Sequence, residues 1–115
     1  MKLLRKQGWL PAVTEHWNAF SKTRHDLYGF IDILAIREGQ TLGLQVTTNS
    51  NLSARRAKML RLDAVKAFLS AGNRVELWGW EKRKQRWEYR RLRFVLKNIS
   101  DPSSLEIIAD GWQGL

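Results

Sequence analysis

Two apolar segments separated by four residues place the strongest constraint on how this chain can fold. Residues 29–36 read GFIDILAI and residues 41–47 read TLGLQVT. Each segment is long enough for one strand, and the Glu38-Gly39 pair between them is a hairpin signal. A hairpin that turns symmetrically about residues 37–40 pairs Ile36 with Thr41. We therefore expect two buried, antiparallel strands here.

The other segments predict one α/β domain spanning residues 1–115. We expect a mixed central sheet flanked by helices, in the order α-β-β-β-α-β with an extra C-terminal strand. A crossover helix should begin with Ser53 as its N-cap and run to about Ser70, before Gly72. The other expected elements are a helix at residues 1–7, a strand around Leu10–Trp17, a loop over residues 18–26, strands at Val75–Trp80 and Arg86–Leu96 joined by a charged turn at Glu81–Gln85, and a short strand at Leu105–Ile108.

The composition is strongly basic and lacks cysteine. Twenty Lys and Arg residues against eleven Asp and Glu residues give a net charge of +9. Such a surplus favours a nucleic-acid partner through release of counterions, although an anionic membrane surface, an acidic protein partner or simple solubility would also account for it. The absence of cysteine excludes disulfides, zinc fingers, iron–sulfur sites and thiol nucleophiles. No apolar run approaches the roughly 18 residues that cross a bilayer, so we expect a cytoplasmic protein with no membrane partner.

Asp32 is the charged residue within the first apolar segment. A carboxylate in such a strand must be paired, hydrogen-bonded, bound to a metal or placed at the open end of the strand. The predicted hairpin sets Asp32 opposite Gln45, and Thr47 lies on the same face as Gln45. Because hard cations take oxygen ligands, the Asp32 carboxylate, the Gln45 amide oxygen and the Val46 main-chain carbonyl are candidate ligands for Mg²⁺.

These residues also have ordinary structural interpretations. Asp32 can face water or an arginine at the edge of the sheet, and Gln45 and Thr47 can be polar residues on a solvated face. Asp26, a further acidic candidate for the site, precedes Leu27-Tyr28-Gly29, and capping of that turn is its favoured role. Glu15, expected on the first strand, could complete an acidic cluster with Asp32.

The order of these motifs resembles the core of the PD-(D/E)XK nuclease superfamily, and within it the small Holliday-junction-resolvase-like proteins often carried by phages. In that family a strand with a Gly-hydrophobic-x-Asp motif precedes a strand bearing Glu-x-Lys. Asp32 takes the place of the Asp, Gln45 that of the Glu and Thr47 that of the Lys, while Glu15 corresponds to the acidic residue of the first element. The resemblance extends from the first helix to the strand Val75–Trp80.

The resemblance implies a metal-dependent endonuclease that uses Mg²⁺ or Mn²⁺ and cuts branched or duplex DNA as a homodimer, in the host cytoplasm if a phage encodes it. Asp32, Gln45, Val46 and Glu15 would hold the metal. Compared with the glutamate of the family, Gln45 keeps an oxygen ligand but lacks its negative charge. Thr47 lacks the positive charge of the usual lysine, which Lys58, Lys22 or Arg24 could supply instead. The alternative is a catalytically inactive DNA- or RNA-binding module on the same fold.

Basic and small polar residues form two candidate nucleic-acid surfaces. A helix N-terminus with such side chains binds phosphate well, although a solvated helix face explains the same pattern. The predicted contacts are Arg24, His25, Asn51, Ser53, Arg55, Arg56 and Lys58. The second surface is the hairpin of Val75–Leu96, where aromatic residues alternate with basic ones. Its tryptophans could stack on unpaired bases, pack in the core or form a dimer interface.

Overall fold

The computed structural model describes residues 2–114, and for residues 16–18 and 23–24 it describes the backbone alone. Three α-helices and eight strands lie within this described part. In chain order they are α1 (Lys2–Lys6), β1 (Leu10–Val13), β2 (His16–Asn18), β3 (Thr23–His25), β4 (Ile33–Arg37), β5 (Gln40–Thr48), α2 (Leu52–Leu60), α3 (Asp63–Ser70), β6 (Arg74–Arg83), β7 (Arg86–Leu96) and β8 (Leu105–Gly114). Short 3-10 turns occupy Asn49–Asn51 and Pro102–Ser104.

Six strands form one mixed sheet in the order β1-β4-β5-β6-β7-β8, and β2 pairs with β3 in a separate two-stranded ribbon. Strands β5 and β6 are parallel, and the other neighbours in the large sheet are antiparallel. The parallel pair requires a crossover connection, which α2 and α3 supply. The predicted α/β class with a mixed sheet is therefore confirmed at this coarse level.

The β4–β5 hairpin has the predicted register. Ile36 pairs with Thr41 and Ile33 pairs with Leu44. Gly39 has a φ of +71°, a left-handed conformation that glycine adopts at little cost. Asp32 lies just before β4, next to the Ile33–Leu44 pair, and its side chain contacts that of Gln45.

The predicted first strand, Leu10–Trp17, is wrong because the chain leaves the sheet after Val13. Thr14 fixes this departure: its N–H donates to the Asp32 carbonyl at 2.8 Å and its hydroxyl donates to the Ile31 carbonyl at 2.6 Å. Glu15 consequently lies between two strands rather than on one. The predicted loop over residues 18–26 is also wrong, since it contains β3. The sequence of this ribbon carries no apolar alternation that would predict its strands.

The predicted single helix to Ser70 is two helices, because Leu62 is extended, with φ −84° and ψ 119°. The extended Leu62 separates α2 from α3, which begins at Asp63. Its side chain packs against the hydrophobic core. Ser53 is not the N-cap: Asn51 holds that position, without a side-chain capping hydrogen bond. Gly72 follows α3 with a φ of +90°, as its predicted role as a helix stop requires.

The C-terminal strands are longer than predicted. β6 continues to Arg83, so the connection to β7 is a tight turn at Lys84 and Gln85, both with positive φ, rather than the segment Glu81–Gln85. β8 extends to Gly114 instead of ending at Ile108. Cross-strand pairing with β7 along this length makes β8 a full edge strand of the sheet.

Each face of the large sheet carries its own apolar cluster. On one face α2 and α3 pack over β6 and β7 through Leu52, Met59, Val65, Leu77 and Phe94. On the other face α1 and Trp9 cover β5 and β6, where Trp78 stacks on Tyr89 with ring centroids 4.5 Å apart. Trp78 and Tyr89 are buried, which supports core packing for these two rings, while Trp87 is about half exposed.

Candidate metal site

Asp32 lies at the start of β4, where the main chain of β5 holds its carboxylate. The Asp32 N–H donates to the Leu44 carbonyl at 2.9 Å. Its Oδ2 atom accepts the Val46 N–H at 2.9 Å, and its Oδ1 atom accepts Nε2 of Gln45 at 3.1 Å. The predicted proximity of Asp32 and Gln45 is thus confirmed, on the sheet face that α2 and α3 cover. Their chemical role stays a prediction.

Gln45 is almost fully buried, with 1% of its surface exposed. Its Nε2 atom donates both to Asp32 and to Oδ2 of Asp26, the latter at 3.2 Å. Its Oε1 atom is buried and has no hydrogen-bond partner among the groups that the structure describes. A buried, unpaired amide oxygen is costly. A half-turn of the amide would bring this oxygen to the two carboxylates, an arrangement that a cation between them would stabilise.

Three carboxylates from separate segments meet beside this amide. Glu15, Asp26 and Asp32 each present an oxygen, and these oxygens lie within 4.8 Å of one another. Glu15 comes directly before β2 and Asp26 directly after β3. Because His16 pairs with His25 in this ribbon, the same register sets Glu15 opposite Asp26. The ribbon therefore begins and ends at the acidic cluster.

Burial is the main reason that the pKa of Asp32 rises from 3.8 to about 6. The hydrogen bond from the Val46 N–H and that from Gln45 lower this pKa, whereas the neighbouring Asp26 carboxylate raises it. Burial and the neighbouring carboxylate therefore both disfavour the ionised form of Asp32. A divalent cation at this position would favour the ionised form, because an opposite charge nearby stabilises it.

The donor set fits a hard cation. Carboxylate and amide oxygens are the ligands that Mg²⁺ and Mn²⁺ prefer over nitrogen or sulfur. Opposite ligands of an octahedral Mg²⁺ ion lie roughly 4.2 Å apart, twice the metal–oxygen distance. The carboxylate oxygens of the cluster all lie within 4.8 Å of one another, a limit only slightly above this span. Glu15, Asp26 and Asp32 are the residues that would hold the ion, and Gln45 would join them after its amide turns.

Three further residues of the predicted site, Thr47, Val46 and Lys58, are not members of the acidic cluster. Thr47 is half-buried two residues beyond Gln45 on the same face of β5. Val46 contacts Asp32 through its N–H, and its carbonyl leaves the strand on the same edge, as strand geometry requires. Lys58 is exposed on α2 and forms no ion pair with a carboxylate in the part of the chain described. A catalytic role for Lys58 stays a prediction.

The predicted nucleic-acid contacts separate into two groups. Asn51, Ser53 and Arg56 are exposed at the first turns of α2, and Arg55 beside them is half-buried. His25 is exposed at the base of the β2–β3 ribbon, with its Nε2 atom 3.4 Å from the Ser21 hydroxyl. The side chain of Arg24 lies outside what the structure describes. None of these contacts is tested by the geometry, and all stay predictions.

Asp26 is the acidic candidate for which the sequence favoured a turn-capping role. Its main-chain carbonyl does accept the Gly29 N–H in a turn, but its side chain lies in the acidic cluster. The signal that could have identified it was the symmetry of the intervening segment. A ribbon over residues 16–25 sets Asp26 opposite Glu15, and Glu15 was already a candidate.

Comparison of the chain with family models, with curated proteins and with solved structures gave no match. None of the helices within residues 2–114 combines the length and apolar character needed to cross a membrane.

Proposed function

We propose that this domain is a metal-dependent endonuclease that hydrolyses phosphodiester bonds in DNA. The observation that carries the proposal is the meeting of Glu15, Asp26 and Asp32 around a buried amide whose oxygen is unpaired. The net charge of +9 provides long-range attraction for the polyanionic substrate. The resemblance to the PD-(D/E)XK superfamily, carried by Asp32 and the strand that follows it, points to the same chemistry.

A bound Mg²⁺ or Mn²⁺ ion would lower the pKa of a water molecule and offset negative charge on the phosphate. The residues of the chain position this chemistry. Asp32 is oriented by the main chain of Val46, and Asp26 and Glu15 approach it from the base of the ribbon. Hydrolysis forms a bond from the water oxygen to phosphorus and breaks one ester bond. The attacking water releases a proton to solvent, and the departing oxygen takes a proton from solvent. Thr47 can donate a hydrogen bond to a phosphate oxygen but supplies no charge.

A second function, DNA or RNA binding without cleavage, is favoured by one specific observation. The Nε2 atom of Gln45 occupies the position between Asp26 and Asp32 and satisfies both carboxylates without a metal. In this alternative the amide is a permanent substitute for the cation. The basic surface would then bind nucleic acid while the acidic cluster only stabilises the fold.

The two functions are separated by a cleavage assay on a four-way DNA junction and on linear duplex, with Mg²⁺, Mn²⁺ or EDTA. We expect cleavage that depends on the metal and that falls at least about a hundredfold in Asp32→Ala and Asp26→Asn, since each removes a charged ligand. Glu38→Gln is the matched control, because Glu38 is exposed in the β4–β5 turn and its loss changes the net charge equally.

Binding without cleavage under every metal condition would contradict the nuclease and support the silent module. Cleavage that survives both cluster variants would show that a different site, or a contaminant, does the chemistry. Preference for the junction over the duplex, together with a dimer in sedimentation experiments, would support the branched substrate and the homodimer that the resemblance implies.

A further inference from the structure

A cleft of about 210 Å³ lies between the start of α2 and the strands β7 and β8. Its polar lining comes from Ser53 and Arg56 on α2 and from Arg90 on β7. Its floor is apolar, formed by Leu52, Leu92, Ile107 and Ala109. The cleft is separate from the acidic cluster and lies on the same face of the sheet.

The two arginines of this cleft differ from most others near the sheet, because no carboxylate pairs with them within residues 2–114. Arg91 and Arg93, on the opposite face, both bind Asp110, and Arg74 binds Glu76. Arg90 instead lies near the Trp112 ring, with its guanidinium carbon 6.0 Å from the ring centroid. Two guanidinium groups without a carboxylate partner line one cleft, so both are available to bind an anion.

The register of the sheet fixes how this cleft relates to the acidic cluster. Thr47 pairs with Gly79, and Gly79 pairs with Arg90, so these three residues form one row across β5, β6 and β7. Neighbouring strands lie about 4.8 Å apart, which separates the Thr47 and Arg90 backbones by roughly 10 Å. The axial rise of a nucleic-acid duplex is about 3.4 Å per nucleotide. That separation corresponds to a few nucleotides of one strand.

Gly79 lies in the middle of this row, and its lack of a side chain allows α2 to pack closely on the sheet. A Cβ atom at this position would lie 2.9 Å from the Leu52 side chain, so α2 packs closely on the sheet here. Ser53 and Arg56, close to Leu52 on α2, line the cleft together with Arg90 on β7. The cleft thus lies beside a tightly packed contact between α2 and the sheet.

We propose that Arg56, Arg90 and Ser53 bind one backbone phosphate of a nucleic-acid strand. Arginine suits this role because its planar guanidinium presents several donors to phosphate oxygens. The site would contact phosphate without reading the base, and so would position the strand rather than select a sequence. Its relation to cleavage rests on the proposed function: the strand held here would continue towards the phosphate at Asp32.

The test is binding of a linear DNA duplex in EDTA, measured by fluorescence anisotropy over a range of salt concentrations. The variants are Arg56→Gln, Arg90→Gln and the double variant. Arg5→Gln is the matched control, since Arg5 is exposed on α1, which covers the opposite face. We expect each single variant to weaken binding several-fold and the double variant to weaken it about tenfold, with a salt slope smaller by about 0.9, the value for one phosphate.

Loss of affinity no greater than that of Arg5→Gln would overturn the proposal, as would a slope reduced by about 1.8, which means two separate phosphates. Arg56 is exposed, so Arg56→Gln tests the site even if the Arg90 variant folds poorly. Because EDTA prevents metal-dependent cleavage, this result is independent of the nuclease assay. The binding assay can therefore confirm the phosphate site even if the protein does not cleave DNA. The cleavage assay can likewise confirm the nuclease even if the phosphate site is absent.

Discussion

Replacing Gln45 with glutamate tests the central feature of the candidate site. The Gln45 amide donates to Asp26 at 3.2 Å and to Asp32 at 3.1 Å, while its own oxygen is buried without a partner. A glutamate of the same shape cannot donate these bonds when ionised and adds a fourth carboxylate. The metal-free protein should therefore lose stability, and a divalent cation should restore it.

The magnitude follows from the two hydrogen bonds. Each bond to a charged acceptor contributes about 1.5 kcal/mol at the lower end of the usual range, so the metal-free variant should lose about 3 kcal/mol. For a chain of this length that loss lowers the Tm by roughly 10 °C. In the native protein an ion must displace the amide from both carboxylates, at the same cost of about 3 kcal/mol. The variant avoids that step, so we expect it to bind Mn²⁺ about a hundredfold more tightly.

Calorimetric titration with Mn²⁺ gives the affinity, and thermal unfolding in EDTA gives the loss of stability. Gln40→Glu is the matched control, because Gln40 begins the same strand, is exposed and already contacts Arg37. The reasoning is refuted if the Gln45 variant and the control bind Mn²⁺ within about twofold of each other and also unfold at similar temperatures. The amide would then not mediate between the carboxylates.

Two further predictions concern titration and packing. Because the pKa of Asp32 is raised to about 6, the folded chain holds this proton more tightly than the unfolded chain, so the metal-free protein should lose stability as pH rises from about 4 to about 6. Asp32→Asn should flatten this change in thermal unfolding followed against pH in EDTA, and parallel curves for the two proteins would contradict it. Gly79→Ala should lower the stability by about 1–3 kcal/mol in urea unfolding, because its Cβ would lie 2.9 Å from Leu52. Gly111→Ala, which meets nothing within 4 Å, should be close to neutral, and equal effects at the two positions would refute the packing argument.

The hairpin that carries Asp32 and Gln45 could be predicted from sequence because its information is local. A Glu-Gly turn, a two-residue side-chain period and continuous apolar segments all specify the same register. The observed pairing of Ile36 with Thr41 follows directly from that turn. Once the register is fixed, the contact between Asp32 and Gln45 requires no long-range information.

Asp26 and the break in the crossover helix could not be predicted in the same way. Asp26 reaches the cluster only because a polar ribbon folds back on itself, and polar residues give no period that identifies strands. Leu62 interrupts the helix although its neighbours favour helix, because its side chain packs into the core from an extended backbone. In both places tertiary contacts decide the local structure, and local propensity is a weak guide to them.

The β2–β3 ribbon leaves the body of the protein and returns to it at two carboxylates that face each other. Since the pairing register continues from Glu15 and Asp26 outward, residues can be added or removed in matched pairs at the far end without displacing either oxygen. The length of this arm is thus independent of the geometry at its root. An insertion at the tip of the ribbon would lengthen it without moving the carboxylates of Glu15, Asp26 and Asp32.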